Sequence, residues 1–313
     1  MTSTAHPMTR GFKQVDVFTA TPYLGNPLAV VLDGSGLGDD EMQRFARWTH
    51  LSETTFVLPP TKAGADYRVR IFTPGAELPF AGHPTLGTCH AWLQAGGAPK
   101  QQDVIVQECQ VGLVTIRRAG HQLAFAAPPL KRSAPAPTLL VSVAAALGLV
   151  PTQIRAAQLL DNGPVWLGLL LDSPDTVLAL NPNHPELIRL NQKVGVAALL
   201  PAQQATNLIA RGNWEARAFA EHGADAPVPA DADLEVRAFA APAGIIEDPV
   251  TGSLNASLAQ WLIGAGLAPD RYVASQGTCI GREGRLFIRR DESTGTVWVG
   301  GQTSILIEGT LTL

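Results

Sequence analysis

The chain has 313 residues, of which 46% are hydrophobic and 16% are charged, and its formal net charge is −4. This composition is typical of a soluble globular protein, and the lack of any basic run argues against nucleic-acid binding. No uncharged apolar run is long enough to span a membrane. Three widely spaced cysteines and no visible signal peptide lead us to expect a cytoplasmic protein without disulfides or membrane contact.

The first part of the chain is dominated by short strands separated by glycine and proline. The pattern predicts a turn at Gly25-Asn26-Pro27 and a helix over residues 38–50. Strands are predicted over residues 12–19, 28–32, 54–58, 67–73, 103–107, 112–117 and 121–126. A proline-rich segment after residue 127 is the predicted boundary between two domains, because a chain of this length favours two.

The second part of the chain repeats this mixture of strands and helices. Helices are predicted over residues 142–148 and 185–195, and residues 222–233 are predicted to be a mobile loop. Strands are predicted over residues 162–172, 195–200, 234–239, 272–276, 285–290, 296–300 and 305–313, with further strand or hairpin structure over residues 205–219. The whole pattern predicts an α/β fold of mixed α+β type.

One uncharged helix occurs twice. One copy is predicted over residues 254–263. Because this helix is apolar almost all round, it is predicted to be buried. Sliding residues 81–99 by 170 positions lays them over residues 251–269, with Gly82 opposite Gly252 and His83 opposite Ser253. The repeat predicts two pseudo-symmetric domains, each a curved mixed or antiparallel sheet around one central buried helix. Because helix N-termini bind anions, the two helix ends are predicted to face a common cleft.

Four blocks of sequence occur in the order GNPLAVV, LSETTFVL, RIFTPGAELPFAGHPTLG and IIEDPVTGS. Through them the chain, from about Phe12 onward, resembles the PhzF-type phenazine-biosynthesis isomerases of the diaminopimelate epimerase superfamily. The resemblance implies an N-terminal domain of residues 1–132 completed by a strand at about 299–313. It implies a second domain of residues 133–298, with the active site in the cleft between the two. It also implies a homodimer that needs no cofactor.

The resemblance assigns roles to residues in these blocks. Glu53 matches the catalytic glutamate, His83 follows Gly82 in a Gly-His pair, Asp248 matches the catalytic aspartate, and Ser253 matches the serine of DPxTGS. The residues expected to bind substrate are Gly82, Thr251, Gly252, Ser253, Asn26 and Gln276. No group of residues has metal-ligand spacing, so no metal site is predicted.

The predicted catalytic residues have structural alternatives. Glu53 could be a solvated residue at a strand start, or could be paired with Arg70. His83 could bond only to backbone at the start of its helix. Asp248 could cap the second helix, since Pro249 suits the first helical position.

Ser253 and Gln276 also have alternatives. Ser253 could be a nucleophile, but the GxSxG pattern is absent, so we interpret it as a hydrogen-bond donor to an anion. Gln276-Gly277 and Gly281-Arg282 resemble a family element near the cleft, but they could also be a turn followed by a surface arginine. Glu247 is interpreted as a loop charge or as a group that tunes Asp248.

These assignments predict a cofactor-independent isomerase that moves a proton between two carbons of a small carboxylate substrate, similar to dihydro-hydroxyanthranilate. Three alternatives stay open: an amino-acid racemase or epimerase, a hydrolase that uses Ser253, and a non-catalytic carboxylate-binding protein. The related epimerases place one cysteine at the head of each central helix. This chain has Ala81-Gly82 and Asp248-Pro249 there, which argues against racemisation by two thiols.

Overall fold

The computed structural model describes residues 8–120, 122–200 and 232–313. The strands in these ranges are β1 (Thr9–Val17), β2 (Asn26–Val31), β3 (Glu53–Leu58), β4 (Tyr67–Phe72), β5 (Glu77–Leu78), β6 (Val104–Cys109), β7 (Gly112–Ala119), β8 (Gln122–Ala126), β9 (Lys131–Ser133), β10 (Ile154–Asp161), β11 (Val165–Leu171), β12 (Val194–Leu199), β13 (Leu234–Phe239), β14 (Arg271–Gln276), β15 (Gly284–Arg290), β16 (Val297–Gly301) and β17 (Thr303–Thr312). The α-helices are α1 (Asp39–Thr49), α2 (Gly82–Gln94), α3 (Pro137–Leu147), α4 (Pro174–Ala179), α5 (His184–Arg189) and α6 (Gly252–Gly264).

Backbone pairing arranges the strands in two curved sheets that are linked to each other. The first sheet has the order β8-β7-β6-β4-β3-β2-β1-β17, and β5 pairs with β4. The second has the order β9-β10-β11-β12-β13-β14-β15-β16. Antiparallel pairing of β16 with β8 links the two sheets. Each sheet mixes antiparallel pairs with two parallel ones, as predicted.

A buried helix lies against each sheet, α2 against the first and α6 against the second. Residues 82–89 of α2 and 252–259 of α6 are all buried, because uncharged and mostly small side chains let the strands approach closely. The predicted mixed α/β fold, with a curved sheet around each of two central helices, is therefore confirmed. The exact domain boundaries stay predictions.

Shorter helices cover the outer face of the second sheet. Apolar side chains of α3, α4 and α5 pack on alternate residues of β11, namely Leu167, Leu169 and Leu171. Trp166 and Leu170, which alternate with these leucines along the strand, belong to the core that contains α6. A strand buried on both faces is apolar throughout, which explains the sequence VWLGLLL.

Some predicted elements differ from the observed ones. β10 (Ile154–Asp161) and α4 were not predicted, and β9 lies in the segment predicted to be a linker. Helix α5 ends at Arg189, because Asn191 adopts a left-handed conformation with φ of 49°. The predictions for residues 205–219 and most of 222–233 lie outside the described residues. None of the helices in the described ranges is long and apolar enough to cross a membrane.

Candidate active site

The N-terminal ends of α2 and α6 meet each other, as predicted. A Cβ atom built on Gly82 would lie 2.6 Å from the Cα atom of Gly252, and one built on Gly252 would lie 2.7 Å from the Cα atom of Gly82. The helices can approach this closely only because both residues lack a side chain. Two positive helix ends therefore act on the same space, which favours a bound anion.

The first N–H groups of each helix have no acceptor within the helix. The N–H of Thr251 donates to Gln276 Oε1 at 3.0 Å. In the described part of the chain, no acceptor takes the N–H groups of Gly82, His83, Gly252 or Ser253. Four backbone donors are thus free at the point where the helices meet.

Glu53 is the first residue of β3 and lies beside this point. Its side chain is buried, with 7% of the residue exposed, and Oε2 lies 3.4 Å from His83 Nε2 without forming a hydrogen bond. Burial raises the pKa of the Glu53 carboxyl well above its usual value, and the nearby charge of Asp248 raises it further. Glu53 therefore keeps its proton to a higher pH than an ordinary glutamate.

The alternative pairing of Glu53 with Arg70 is wrong. Arg70 donates instead to both carboxylate oxygens of Glu77, at 2.8 and 2.6 Å, and to Asp39 at 2.6 Å. These contacts lie around the middle of β4. The alternative of a solvated Glu53 is wrong as well, because the residue is buried.

His83 is the second residue of α2 and is buried. Its Nδ1 atom lies 3.2 Å from Asn26 Nδ2. Because an amide nitrogen can only donate, a hydrogen bond here requires Nδ1 to accept; we therefore assign the ring proton to Nε2, the atom nearest Glu53. Burial lowers the pKa of His83 to about 3, so the ring is neutral and forms no ion pair with Glu53.

Asp248 lies in the loop before α6, held by three side chains. Its Oδ1 atom accepts from Asn26 Nδ2 at 2.8 Å and from Ser52 Oγ at 3.4 Å, and its Oδ2 atom accepts from Thr251 Oγ1 at 2.6 Å. Burial raises its pKa, although these three hydrogen bonds lower it. The alternative role as helix cap is wrong, because α6 begins at Gly252 with Thr251 as the preceding cap residue.

Asn26 links the two catalytic candidates. Its Nδ2 atom contacts His83 and Asp248 and also donates to the carbonyl oxygen of Val250 at 2.9 Å. The Oδ1 atom is buried and has no partner among the described residues. Asn26 is the first residue of β2, not part of the preceding turn. Its side chain therefore fixes the ring of His83 relative to the Asp248 carboxylate, and its predicted contact with substrate stays a prediction.

Gln276 braces the loop that carries Asp248. Its Nε2 atom donates to the carbonyl oxygen of Asp248 and to Thr251 Oγ1, both at 2.9 Å. Its Oε1 atom accepts from the Thr251 N–H and from Asn255 Nδ2 at 2.8 Å. The residue is buried at the end of β14, and the turn expected after it is present as a short 3-10 helix over Thr278–Ile280. Its amide makes four contacts within the chain, and its predicted binding of substrate stays a prediction.

Replacement of Gln276 by alanine is expected to lower the free energy of unfolding by about 2 to 4 kcal/mol, because several buried polar groups lose their partners. Urea unfolding followed by circular dichroism measures this change. The matched control is Gln158→Ala, since Gln158 is half-buried and its side-chain amide bonds to no described residue. Equal loss in the two variants would contradict the bracing role.

Glu247 pairs with Arg237. The two side chains form a bidentate contact at 2.9 and 2.8 Å, and both are buried from solvent. The charge of Glu247 also raises the pKa of Asp248, as the smallest of several effects. The main contact of Glu247 is thus its ion pair with Arg237, and its effect on the pKa of Asp248 is small.

Two further polar residues lie near the helix ends, and the sequence analysis assigns no role to them. Asn162, in the turn before β11, donates through Nδ2 to the carbonyl oxygen of Ser253 at 2.9 Å. Lys193, just before β12, is close enough to lower the pKa of Glu53. No local motif marks either residue. The described residues contain no group of three or more His, Cys, Asp or Glu side chains that could hold a metal ion.

Comparison with known proteins gives consistent similarities along the chain. Residues 15–223 and 221–309 match the PhzC-PhzF family model, described as phenazine biosynthesis-like protein. The chain is 35% identical to antisense-enhancing sequence 1 of Schizosaccharomyces pombe, over 95% of this chain and 97% of that protein. It is 32% identical to trans-2,3-dihydro-3-hydroxyanthranilate isomerase of Pseudomonas aeruginosa, over 94% of this chain and 96% of the relative.

A solved structure shows the same fold. It is the crystal structure of a phenazine biosynthesis protein of the PhzF family from Bacillus anthracis. The match has a TM-score of 0.76 and 22% sequence identity, and it covers 98% of this chain and 100% of the other. The shared architecture therefore extends over nearly the whole length of both proteins.

Proposed function

The chain belongs to the PhzC-PhzF family of phenazine biosynthesis-like proteins and is an isomerase. We propose that it moves a proton between two carbons of a small cyclic carboxylate. We assign the proton transfer to Glu53. The observation that supports this assignment is a buried carboxyl group beside two facing helix N-termini, with Oε2 free of hydrogen bonds to the described residues. The substrate we propose is similar to trans-2,3-dihydro-3-hydroxyanthranilate.

The substrate carboxylate binds where α2 and α6 meet. It accepts hydrogen bonds from the free N–H groups of Gly82, His83, Gly252 and Ser253. Negative charge is favourable at a helix N-terminus, and here two such ends act together. The carboxylate fixes the ring of the substrate beside Glu53, so the acid acts on a carbon at a defined distance from the anchor.

Glu53 acts first as an acid and then as a base. Its protonated carboxyl group gives the proton to one carbon of the conjugated substrate, forming a C–H bond and leaving a carboxylate. That carboxylate then removes a proton from another carbon, which restores the double bond and the protonated Glu53. No oxidant, reductant or net proton is required.

His83 and Asp248 support these two steps. The Nε2–H of His83 faces Glu53 Oε2 and stabilises the carboxylate that forms transiently. Asp248 holds Asn26, and Asn26 in turn holds His83 Nδ1 as an acceptor. This chain of contacts keeps the imidazole neutral and correctly oriented, so His83 donates a hydrogen bond without competing for the proton.

The proposed reaction is tested by incubating the protein with trans-2,3-dihydro-3-hydroxyanthranilate in D₂O and following the products by NMR and mass spectrometry. We expect conversion to an isomer that carries one deuterium at the newly protonated carbon, because the Glu53 proton exchanges with solvent. Failure to convert this substrate would count against the proposed substrate class. A racemase would instead label the α-carbon of an amino acid and invert it.

The rate is expected to fall as the pH rises past the pKa of Glu53, because the acid-first mechanism needs the protonated carboxyl group. Burial raises this pKa well above that of an ordinary glutamate, so activity is retained at pH values where such a glutamate is ionised. The kcat/KM measured from pH 4 to 9 is expected to be flat at the acid end and to decrease by about tenfold per pH unit beyond the pKa. A kcat/KM that rises through this range would contradict the proposed order of steps.

A further inference from the structure

Lys193 places a half-buried ammonium group near the helix ends. Its carbonyl oxygen accepts from the N–H of Leu167 at 2.9 Å, which fixes its backbone beside β11. Its Nζ atom lies 5.4 Å from the centre of the Trp166 ring, within the range of a cation–π contact. Within the described ranges, Lys193 forms no ion pair with a carboxylate. In the part of the chain that the structure describes, the Trp166 ring is the contact of this partly desolvated charge, which leaves the charge available to a ligand.

The two sheets place Lys193 and Glu53 at nearly equivalent positions. In the first sheet, the parallel pairing of β2 and β3 begins with Leu28 opposite Glu53. In the second sheet, the parallel pairing of β11 and β12 begins with Leu167 opposite Val194. Lys193 therefore immediately precedes the position that corresponds to Glu53 in the other half of the protein.

The same end of the second sheet touches the N-terminus of α6. The turn before β11 carries Asn162, whose Nδ2 atom donates to the carbonyl oxygen of Ser253. Asn162 is 3% exposed, and its Oδ1 atom has no partner among the described residues. Trp166 Nε1 is also buried without a partner there. Three polar groups without a full set of partners thus lie along this end of β11 and β12.

Lys193 and Glu53 also affect each other electrostatically. The charge of Lys193 lowers the pKa of Glu53, against the larger effect of burial. Burial lowers the pKa of Lys193, and the charge of Glu53 raises it. The two side chains are therefore close enough for their charges to interact.

We propose that Lys193 binds the carboxylate of the substrate from the second sheet and makes the cleft specific for acids over their neutral analogues. The helix ends supply partial charges and backbone donors, and Lys193 adds a full positive charge. Trp166 holds the lysine side chain in place through its ring face. This inference rests on the proposed function, since it names a specificity-determining residue of the same site.

The test compares an acid with its amide. Isothermal titration calorimetry measures the affinity of 3-hydroxyanthranilate, a stable aromatic acid, and of its carboxamide. In Lys193→Met the affinity for the acid is expected to fall about 10- to 100-fold, because a charged hydrogen-bond donor is lost, while the affinity for the amide stays within about threefold. Lys193→Arg keeps the charge and is expected to bind the acid within about tenfold of the wild type.

Lys62→Met is the matched control. Lys62 is exposed and lies beyond the far end of β3 from Glu53, so its replacement changes the net charge equally and is expected to leave the affinity for the acid unchanged. The proposal is overturned if Lys193→Met binds the acid as tightly as the wild type, or if it loses acid and amide equally. A wild type that does not prefer the acid also overturns it.

The dependence of kcat/KM on pH provides a second measurement. A purely structural role of Lys193 would leave this dependence unchanged. Because Lys193 lowers the pKa of Glu53, Lys193→Met is expected to move the fall in kcat/KM to higher pH. An unshifted profile in Lys193→Met opposes the proposal.

The results can contradict the proposed function and this inference separately. If acid binding depends on Lys193 but no substrate is isomerised, only the proposed function is wrong. If the substrate is isomerised but Lys193→Met binds the acid as tightly as the wild type, only the role of Lys193 is wrong.

Discussion

Replacement of Glu53 by glutamine is expected to lower kcat at least about a hundredfold and to leave the fold and ligand affinity intact. The amide has nearly the same shape as the carboxyl group but cannot give up and recover a proton at the reacting carbon. Glu53 Oε2 has no hydrogen bond to the described residues, so the replacement removes no structural contact at that atom. Steady-state kinetics, thermal unfolding and calorimetry with 3-hydroxyanthranilate measure the three properties.

The matched control is Glu235→Gln. Glu235 is 6% exposed, close to the 7% of Glu53, but it lies on β13 and accepts from Thr278 Oγ1 at 3.1 Å. We expect its replacement to leave kcat within about threefold of the wild type, because it is a buried carboxyl group without a role in proton transfer. Turnover retained in Glu53→Gln would remove the acid and base role assigned to Glu53.

Replacement of Gly82 by alanine is expected to reduce activity by about a hundredfold and stability by about 1 to 3 kcal/mol. The added Cβ atom would lie 2.6 Å from the carbonyl carbon and the Cα of Gly252 and 2.9 Å from Phe125 Cζ. The nearest atoms belong to backbone, so the contact is relieved only if α2 and α6 move apart. The N–H groups that hold the substrate carboxylate would then no longer converge.

Gly264→Ala separates this steric effect from the ordinary effect of glycine in a helix. Gly264 is the last residue of α6, and an added Cβ would have no heavy atom within 4 Å. Alanine is favoured over glycine in a helix by up to about 1 kcal/mol, so this variant is expected to be as stable as the wild type or more so. Chemical denaturation and kcat/KM measure both variants. If Gly82→Ala behaves like Gly264→Ala, the close meeting of the helices is not needed for activity.

Much of the fold could be predicted because burial of one or both faces of a strand or helix produces a recognisable pattern of apolar residues. The strand over Leu234–Phe239 was predicted at its observed ends, and the two uncharged helices were predicted to be buried. β10 was missed because six of its eight residues are only half-buried, so its sequence IRAAQLLD shows no alternation. β9 has three exposed residues and is recognisable only by its pairing with β10.

The site was predictable only in part. The convergence of Glu53, His83 and Asp248 was expected from the blocks shared with a known family, and the geometry brings the three together. Lys193 could not be placed there, because nothing local in NQKVG relates it to a residue 140 positions away in the chain. The parallel pairing of β11 with β12 creates that proximity.

Other contacts also depend on the tertiary structure. The pairing of Glu247 with Arg237 joins two residues that show no local pattern. Asn26 was expected to bind substrate, whereas the structure uses its amide nitrogen within the chain. The predicted homodimer, the cytoplasmic location and the individual substrate contacts stay predictions.

The pairing of β17 with β1 has a consequence for synthesis of the protein. All nine residues of β1 have a partner in β17, over the register from Thr9 and Thr312 to Val17 and Thr303. A growing chain on the ribosome therefore exposes one side of β1 until β17 has been translated. At ordinary elongation rates this delay is on the order of tens of seconds. Until then the unpaired edge of β1 is open to pairing with other chains, which makes the nascent first half prone to aggregation.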